Sequence, residues 1–328
     1  MDASLRNEGP ASAGRTLAYD RESGRLSGAR LVERLAVAAL QAGSAATAPF
    51  GHRGYRLGCK VVSSAVAAGD IAIRLNSDAV FSMPFADGYW SRLLNGRYIY
   101  EAVIEAFLRG VSDVDYVFVD GGANFGYWSV LATSEPFGAH DALAIEASAL
   151  NASRLELNVW LNGGRFRCIH AAIGGADGGF VRITGDRHEA FGTARAGADE
   201  TGAVRTISLD GLMTKGAIDP ARPVVVKLDV EGVEIEALRG AERLSAGDAV
   251  FICEEHGADR EHLVSRHLMG ATSLRLYVFD AAASGFVRVR DLSVLDRIKR
   301  HSWVGYNVFA TGSPFWEEKL QRMGGGLS

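Results

Sequence analysis

The chain has 328 residues, 48% of them hydrophobic, enough for one large domain or one domain with an accessory piece. Its formal net charge is −4 and no block of basic residues stands out, which argues against a nucleic-acid partner. Cys59, Cys168 and Cys253 lie far apart and imply neither a disulfide framework nor a zinc site.

Residues 1–28 are rich in Ala, Gly, Ser and Arg without a sustained period, and are expected to form a mobile tail. Residues 29–110 read as a small accessory region. A helix is predicted from Ala29 to Ala42, and the runs KVVSSAV, IAIRL and AVFSM predict a small meander. Helical spacing returns at Tyr89–Leu94 and Tyr98–Leu108. The apolar stretch from Leu35 is broken by Gln, Gly and Ser and is too short to span a bilayer. The acids ahead of it make a poor signal-peptide start, so no membrane span and cytoplasmic residence are expected.

Residues 111–312 alternate strand and helix patterns, with 313–328 left as a C-terminal tail. YVFVD, ALAIE, FRCIHAAI, VVVKLD and AVFICEEH read as strands separated by helices. LRLYVFD, GFVRV and WVGYNVFAT then suggest a hairpin or antiparallel edge. This is the pattern of an α/β, doubly wound, Rossmann-like sheet, mostly parallel. Ligands of such sheets bind beyond the carboxyl ends of the strands. Acids dominate those ends here: Asp120, Glu146, Asp229, Glu231, Glu254 and Glu255, with His256.

The stretch VFVDGGANFGYWSVL, residues 117–131, reads as a strand, a glycine turn and a helix start. Tyr127 and Trp128 stand where a phosphate-binding P-loop needs Lys and Ser or Thr, and the spacing of Gly121, Gly122 and Gly126 misses the dinucleotide fingerprint. A ligand without a pyrophosphate follows. Glu146, 26 residues after Asp120 at the end of the next strand, occupies the place of a ribose-binding acid, and an adenine contact is expected near Ala172. S-adenosylmethionine meets these requirements.

In this order VDGGANFG, IEAS, LNVWLNGG, HAAIGG, RTISLD, KLDVEGVEIEALRGA and EEH resemble the FkbM family of S-adenosylmethionine-dependent methyltransferases, over roughly Tyr98 to His256. The resemblance implies a seven-stranded class I methyltransferase sheet and methyl transfer, usually to a hydroxyl of a sugar or natural product. By motif match it assigns the cofactor to Asp120, Gly122, Asn124, Gly126 and Glu146; Gly121, Ala147 and Ala172 complete the expected cofactor set. Ala147 and Ser148 depart from the proline often found there.

Methylating an alcohol requires removal of its proton, and Asp229, Glu231 and His256 are the candidates to accept it. Asp229, Glu231, Glu255 and His256 are alternatively candidate ligands of Mg²⁺ or Mn²⁺. Lys227 is expected to pair with a strand-end acid, and Glu234 and Glu236 to be first-turn helix charges. Residues 174–202, with His188, Phe191 and Arg195 among many glycines, read either as a surface excursion or as a lid over the acceptor. The leading expectation is an O-methyltransferase with a small-molecule or carbohydrate acceptor. An N- or carboxyl-methyltransferase and a non-catalytic nucleoside-binding module are the alternatives.

Overall fold

The YVFVD, ALAIE, VVVKLD and AVFICEEH runs form neighbouring strands of an eight-stranded sheet in the computed structural model, which describes residues 16–187, 190–299 and 304–323. In chain order the strands of this sheet are β1 Val117–Gly121, β2 Asp141–Glu146, β3 Arg167–His170, β4 Val224–Leu228, β5 Ala249–Glu255, β6 Arg275–Asp280, β7 Gly285–Arg288 and β8 Tyr306–Thr311. Their spatial order is β7-β6-β8-β5-β4-β1-β2-β3. Strands β1 to β5 pair in parallel, whereas β8 runs antiparallel to both β5 and β6, and β7 closes a hairpin with β6. The fold is the expected Rossmann-like sheet with an antiparallel C-terminal edge, and its eighth strand is this hairpin partner.

Every residue of β1 and β4 is buried, as both-face coverage of central parallel strands requires. On one face Val119, Val226, Phe251 and Cys253 join Ala237, Leu244 and Leu268 in the hydrophobic core. Burying each such Val, Leu or Phe side chain contributes about 1.5–3 kcal/mol. The chain builds β1, β2 and β3 outward in one direction and then returns to lay β4 on the other side of β1. That reversal makes the carboxyl ends of β1 and β4 the topological switch point, where open α/β sheets take their ligands.

Contact density divides the chain into two units, one running to Tyr100 and including Ser153–Gly164, the other comprising Glu101–Ala152 and Arg165 to the end. The larger unit holds the eight-stranded sheet. It also holds a small antiparallel sheet, Phe180–Arg187, Ala190–Arg195 and Ala203–Ile207, with Ala172–Ile173 parallel to the last of these. The run FRCIHAAI is therefore not one strand: Arg167–His170 and Ala172–Ile173 belong to different sheets. His188, considered above for a lid, lies outside the described residues, and the side chains of Phe191 and Arg195 are not described.

In the smaller unit Leu17–Asp20 pairs in parallel with Asp70–Arg74, whose other neighbour is Val80–Pro84, and Leu26–Ser27 completes the sheet. Residues 17–27 thus supply strands where a tail was expected. KVVSSAV, expected as a strand, lies in the helix Tyr55–Ala65, because Tyr55 and Cys59 recur at helical spacing and bury one face. Pro314–Arg322, within the expected C-terminal tail, is a helix begun by the side chain of Ser313, with Trp316 and Leu320 buried. Residues 153–164 join the smaller unit through asparagine side chains. Asn158 bonds the N–H and C=O of Ser82, at 2.7 and 3.1 Å, and Asn162 those of Val80, at 2.9 and 2.7 Å. Two side chains one helical turn apart thereby satisfy an open strand edge.

Candidate functional site

Alternation along the strands sorts the acids of the carboxyl edge between two faces. Asp120, Lys227 and Ile252 share a face by register, as do Asp229 and Glu254 at the ends of β4 and β5. Glu255 is one residue on and follows Phe251 and Cys253 onto the opposite face, that of the hydrophobic core.

The glycine turn after β1 is built by close approach. Gly122 and Gly126 have φ of 74° and 86°, and Asn124 also has positive φ, 53°. A Cβ on residue 122 would stand 1.8 Å from the carbonyl oxygen of Asp229, so only glycine lets the ends of β1 and β4 meet. Asp229 N–H closes this junction by donating to Gly121 O at 3.0 Å. Asp120 is buried and accepts from both the N–H and the hydroxyl of Ser129, at 3.1 and 2.8 Å, which ties the turn to the Tyr127–Ala132 helix. Burial pushes its carboxyl up in pKa, against the pull of Lys227 and Ser129.

Glu146 stands at the end of β2, buried, with one carboxylate oxygen accepting Asn124 N–H and the other Ser148 N–H, both at 2.7 Å. The acid read from sequence as a ribose ligand therefore reaches the glycine turn. Burial raises its pKa to about 7, and the N–H groups of Ser148 and Asn124 oppose that rise. Ala147 O lies 3.0 Å from His170 Nε2, and Ala172 is buried in its two-residue strand. Glu146, Asn124 and the turn are thus brought together, with Ala147 adjoining Glu146.

The neighbouring cluster centres on Lys227, whose buried Nζ donates to Asp229 Oδ2 at 2.9 Å. Burial works to strip its proton, but Asp229, Glu101 and Asp120 outweigh it and hold the pKa above the ordinary lysine value. Asp229 is in turn held below its ordinary value: burial opposes this, while Lys227, a hydrogen bond with Glu254 and the nearby His256 prevail. Glu254 is pushed well up, first by burial and then by the neighbouring Asp229.

Glu101, absent from the sequence reading, joins this cluster. It takes left-handed backbone, φ 44°, and accepts from Trp128 Nε1 and Asn307 Nδ2, each at 2.8 Å. It precedes the strands and carries no motif, so only long-range packing identifies it. Glu254 was legible as a strand-end acid but was not singled out.

The turn after β4 carries Glu231 at φ 55° and Gly232 at φ 93°. Glu234 opens the helix Glu234–Arg239 as the first-turn acid expected. It is buried and accepts from Val230 N–H and Gly232 N–H at 3.1 and 3.2 Å, and its carboxylate lies 3.9 Å from Nε2 of the half-exposed His256. Glu236 does lie on the surface, paired with Arg239. The proposed metal set is not assembled: Glu255 turns to the other face, where it accepts Ser265 N–H at 2.6 Å. Among the described residues no group of three or more His, Cys, Asp or Glu side chains is placed to hold a metal ion.

With this geometry in place, the family model for the methyltransferase FkbM domain matches residues 120–278, from the acid of the glycine turn through most of β6. The matched segment is an FkbM methyltransferase domain. Among solved structures it is similar to methyltransferase FkbM from Methylobacillus flagellatus KT, at 16% identity and TM-score 0.38, over 60% of this chain and 43% of that one. It is also similar to human methyltransferase-like protein 13 in complex with SAH, at 16% identity and TM-score 0.36, over 68% and 90% of the two chains. An rRNA methylase from Streptococcus thermophilus aligns at 12% identity and TM-score 0.36, over 66% and 98%. No curated protein matches the sequence.

Proposed function

We propose that the chain transfers a methyl group from S-adenosylmethionine to a hydroxyl oxygen of a sugar or glycosylated small molecule, in the cytoplasm. The observation that carries this reading is the junction at the switch point. There the turn linked to Glu146 meets Asp229, an anionic carboxylate held by Lys227. The cofactor's adenosine suits the turn and Glu146, since a buried carboxylate accepts from ribose hydroxyls whereas a phosphate would be repelled by Asp120 and Glu146.

When bound, S-adenosylmethionine supplies an electrophilic methyl on a sulfonium. The acceptor's O–H would donate to Asp229, which would take its proton during transfer. Lys227 keeps Asp229 charged and oriented for that hydrogen bond. Glu231 and His256, at the rim of the same edge, would hold further polar groups of the acceptor. An acceptor with several hydroxyls suits this acid-rich edge, and the chain's net charge of −4 disfavours a nucleic acid.

Two measurements on one preparation test the reading. Calorimetry should show binding of S-adenosylmethionine and its demethylated product. Labelled cofactor offered with alcohol, amine and carboxylate acceptors should label an alcohol. Tighter binding of ATP or NAD overturns the cofactor assignment, and label on amines or carboxylates alone overturns the hydroxyl.

A further inference from the structure

The smaller unit contains a helix whose outward side nothing in that unit covers. Leu31–Thr47 buries Ala36, Val37 and Leu40, yet Leu31, Val32 and Leu35 are exposed, and so are Ala38, Ala39, Ala42, Ala45 and Ala46. Arg34 is the only long polar side chain fully exposed along it. A helix apolar nearly all round belongs against an apolar phase. The next helix, Tyr55–Ala65, repeats the pattern with Leu57 and Val61 exposed one turn apart, and Phe50 between the helices is 67% exposed.

Charge says what kind of phase. From Arg30 to Gly69 the chain carries Arg30, Arg34, Arg53, Arg56 and Lys60 against a single acid, Glu33. That acid is buried and occupied, accepting Arg30 N–H at 2.6 Å. The stretch is thus +4 within a chain of net −4. A second copy docking face to face would set these cations against each other, whereas an anionic surface complements them. Arg25 and Arg34 also line a cavity of about 370 Å³ beside Leu26, Val37 and Ala38, and neither arginine forms a salt bridge among the described residues.

We propose that this helical pair is a docking surface for an anionic lipid bilayer. Leu31, Leu35, Phe50, Leu57 and Val61 enter the acyl boundary, and Arg34, Arg53 and Lys60 engage the headgroups, with the Arg25 and Arg34 cavity able to admit one. The association is peripheral, and among the described residues no helix is long and apolar enough to cross a membrane. It does not depend on the methyl-transfer reading.

Sedimentation of the full chain with vesicles tests this directly. At 0.1 M salt the protein should pellet with phosphatidylcholine vesicles containing about one third phosphatidylglycerol, at least tenfold more strongly than with phosphatidylcholine alone. Raising salt to 0.5 M should release it. Arg34→Glu with Lys60→Glu, and separately Leu35→Ser with Leu57→Ser, should each weaken binding at least tenfold. All four residues are exposed, so melting temperatures should stay near wild type. No pelleting with anionic vesicles, or pelleting unchanged in both double variants, overturns the proposal. So does a dimer in sedimentation velocity that the leucine pair abolishes while vesicles bind nothing.

Discussion

Glu254 and Glu255 are adjacent, identical in chemistry and both at the end of β5, yet the sheet gives them different work. Glu254 faces Asp229, hydrogen-bonds with it and stands beside Lys227 and Glu101 at the switch point. Glu255 faces the hydrophobic core and holds Ser265 N–H at the first turn of the Leu263–Ala271 helix. Across the sheet β8 repeats the division. Asn307, paired with Glu254, bonds Glu101, while Tyr306, paired with Glu255, bonds His262 Nδ1 at 2.6 Å, and His262 Nε2 lies 3.0 Å from Asp296. Residue type alone does not mark a functional acid. Strand parity does, because one residue of offset exchanges the ligand edge for the interior.

The sharpest way to break this division is at Asp229. Asp229→Asn keeps shape but removes the proton acceptor, so kcat should fall about 100-fold or more with cofactor affinity nearly unchanged, while loss of the buried Lys227's ion-pair partner should lower the melting temperature. Near-normal turnover would move the chemistry off this face. A smaller effect is expected at Glu146, on the same face. Its pKa of about 7 leaves the carboxyl part-protonated at neutrality, and ribose hydroxyls need the ionised form as acceptor. Cofactor affinity should therefore rise with pH from 6 to 8 and level off above. Glu146→Gln should abolish that dependence and weaken binding by roughly 1–3 kcal/mol.

The same group affects stability with a definite sign. A folded pKa raised from the ordinary 4.5 means its stabilising contribution is full below pH 4.5 and is lost as pH rises through 7. The change is on the order of 3 kcal/mol. Melting temperature should fall between pH 5 and 8 more steeply for wild type than for Glu146→Gln. The smallest effect on transfer belongs to the other face. Tyr306→Phe leaves His262 without its hydroxyl partner and should cost about 1–3 kcal/mol of stability in denaturant titration, with transfer rates within threefold of wild type.

Much of the catalytic half was legible because local signals and topology agree there. Apolar runs ending in acids marked β1, β2, β4 and β5, and the glycines of the first turn marked a close approach that Gly122 and Asp229 make concrete. The Lys227 pairing followed from burial of a cation in a strand. What escaped depends on contacts distant in sequence. Glu101 gains its place through Trp128 and Asn307. Glu234 was legible as a first-turn helix acid, but the turn it closes was not. KVVSSAV misled because β-branched residues favour strands, while Tyr55 and Cys59 upstream decide for a helix. The cations of residues 30–60 formed no block, being spread over two helices and the residues that flank them, and so left no mark on a reading based on runs.

The measurement closest to the central claim sets the two neighbouring glutamates against each other. Glu254→Gln and Glu255→Gln should be compared for methyl transfer from labelled cofactor at saturation, on preparations whose folded fraction is matched by calorimetry. Glu254→Gln, which removes the carboxyl that hydrogen-bonds with Asp229, should transfer at least tenfold more slowly than Glu255→Gln, which should stay within threefold of wild type. Equal rates, or a slower Glu255→Gln enzyme, would contradict the assignment of the chemistry to the Asp229 face.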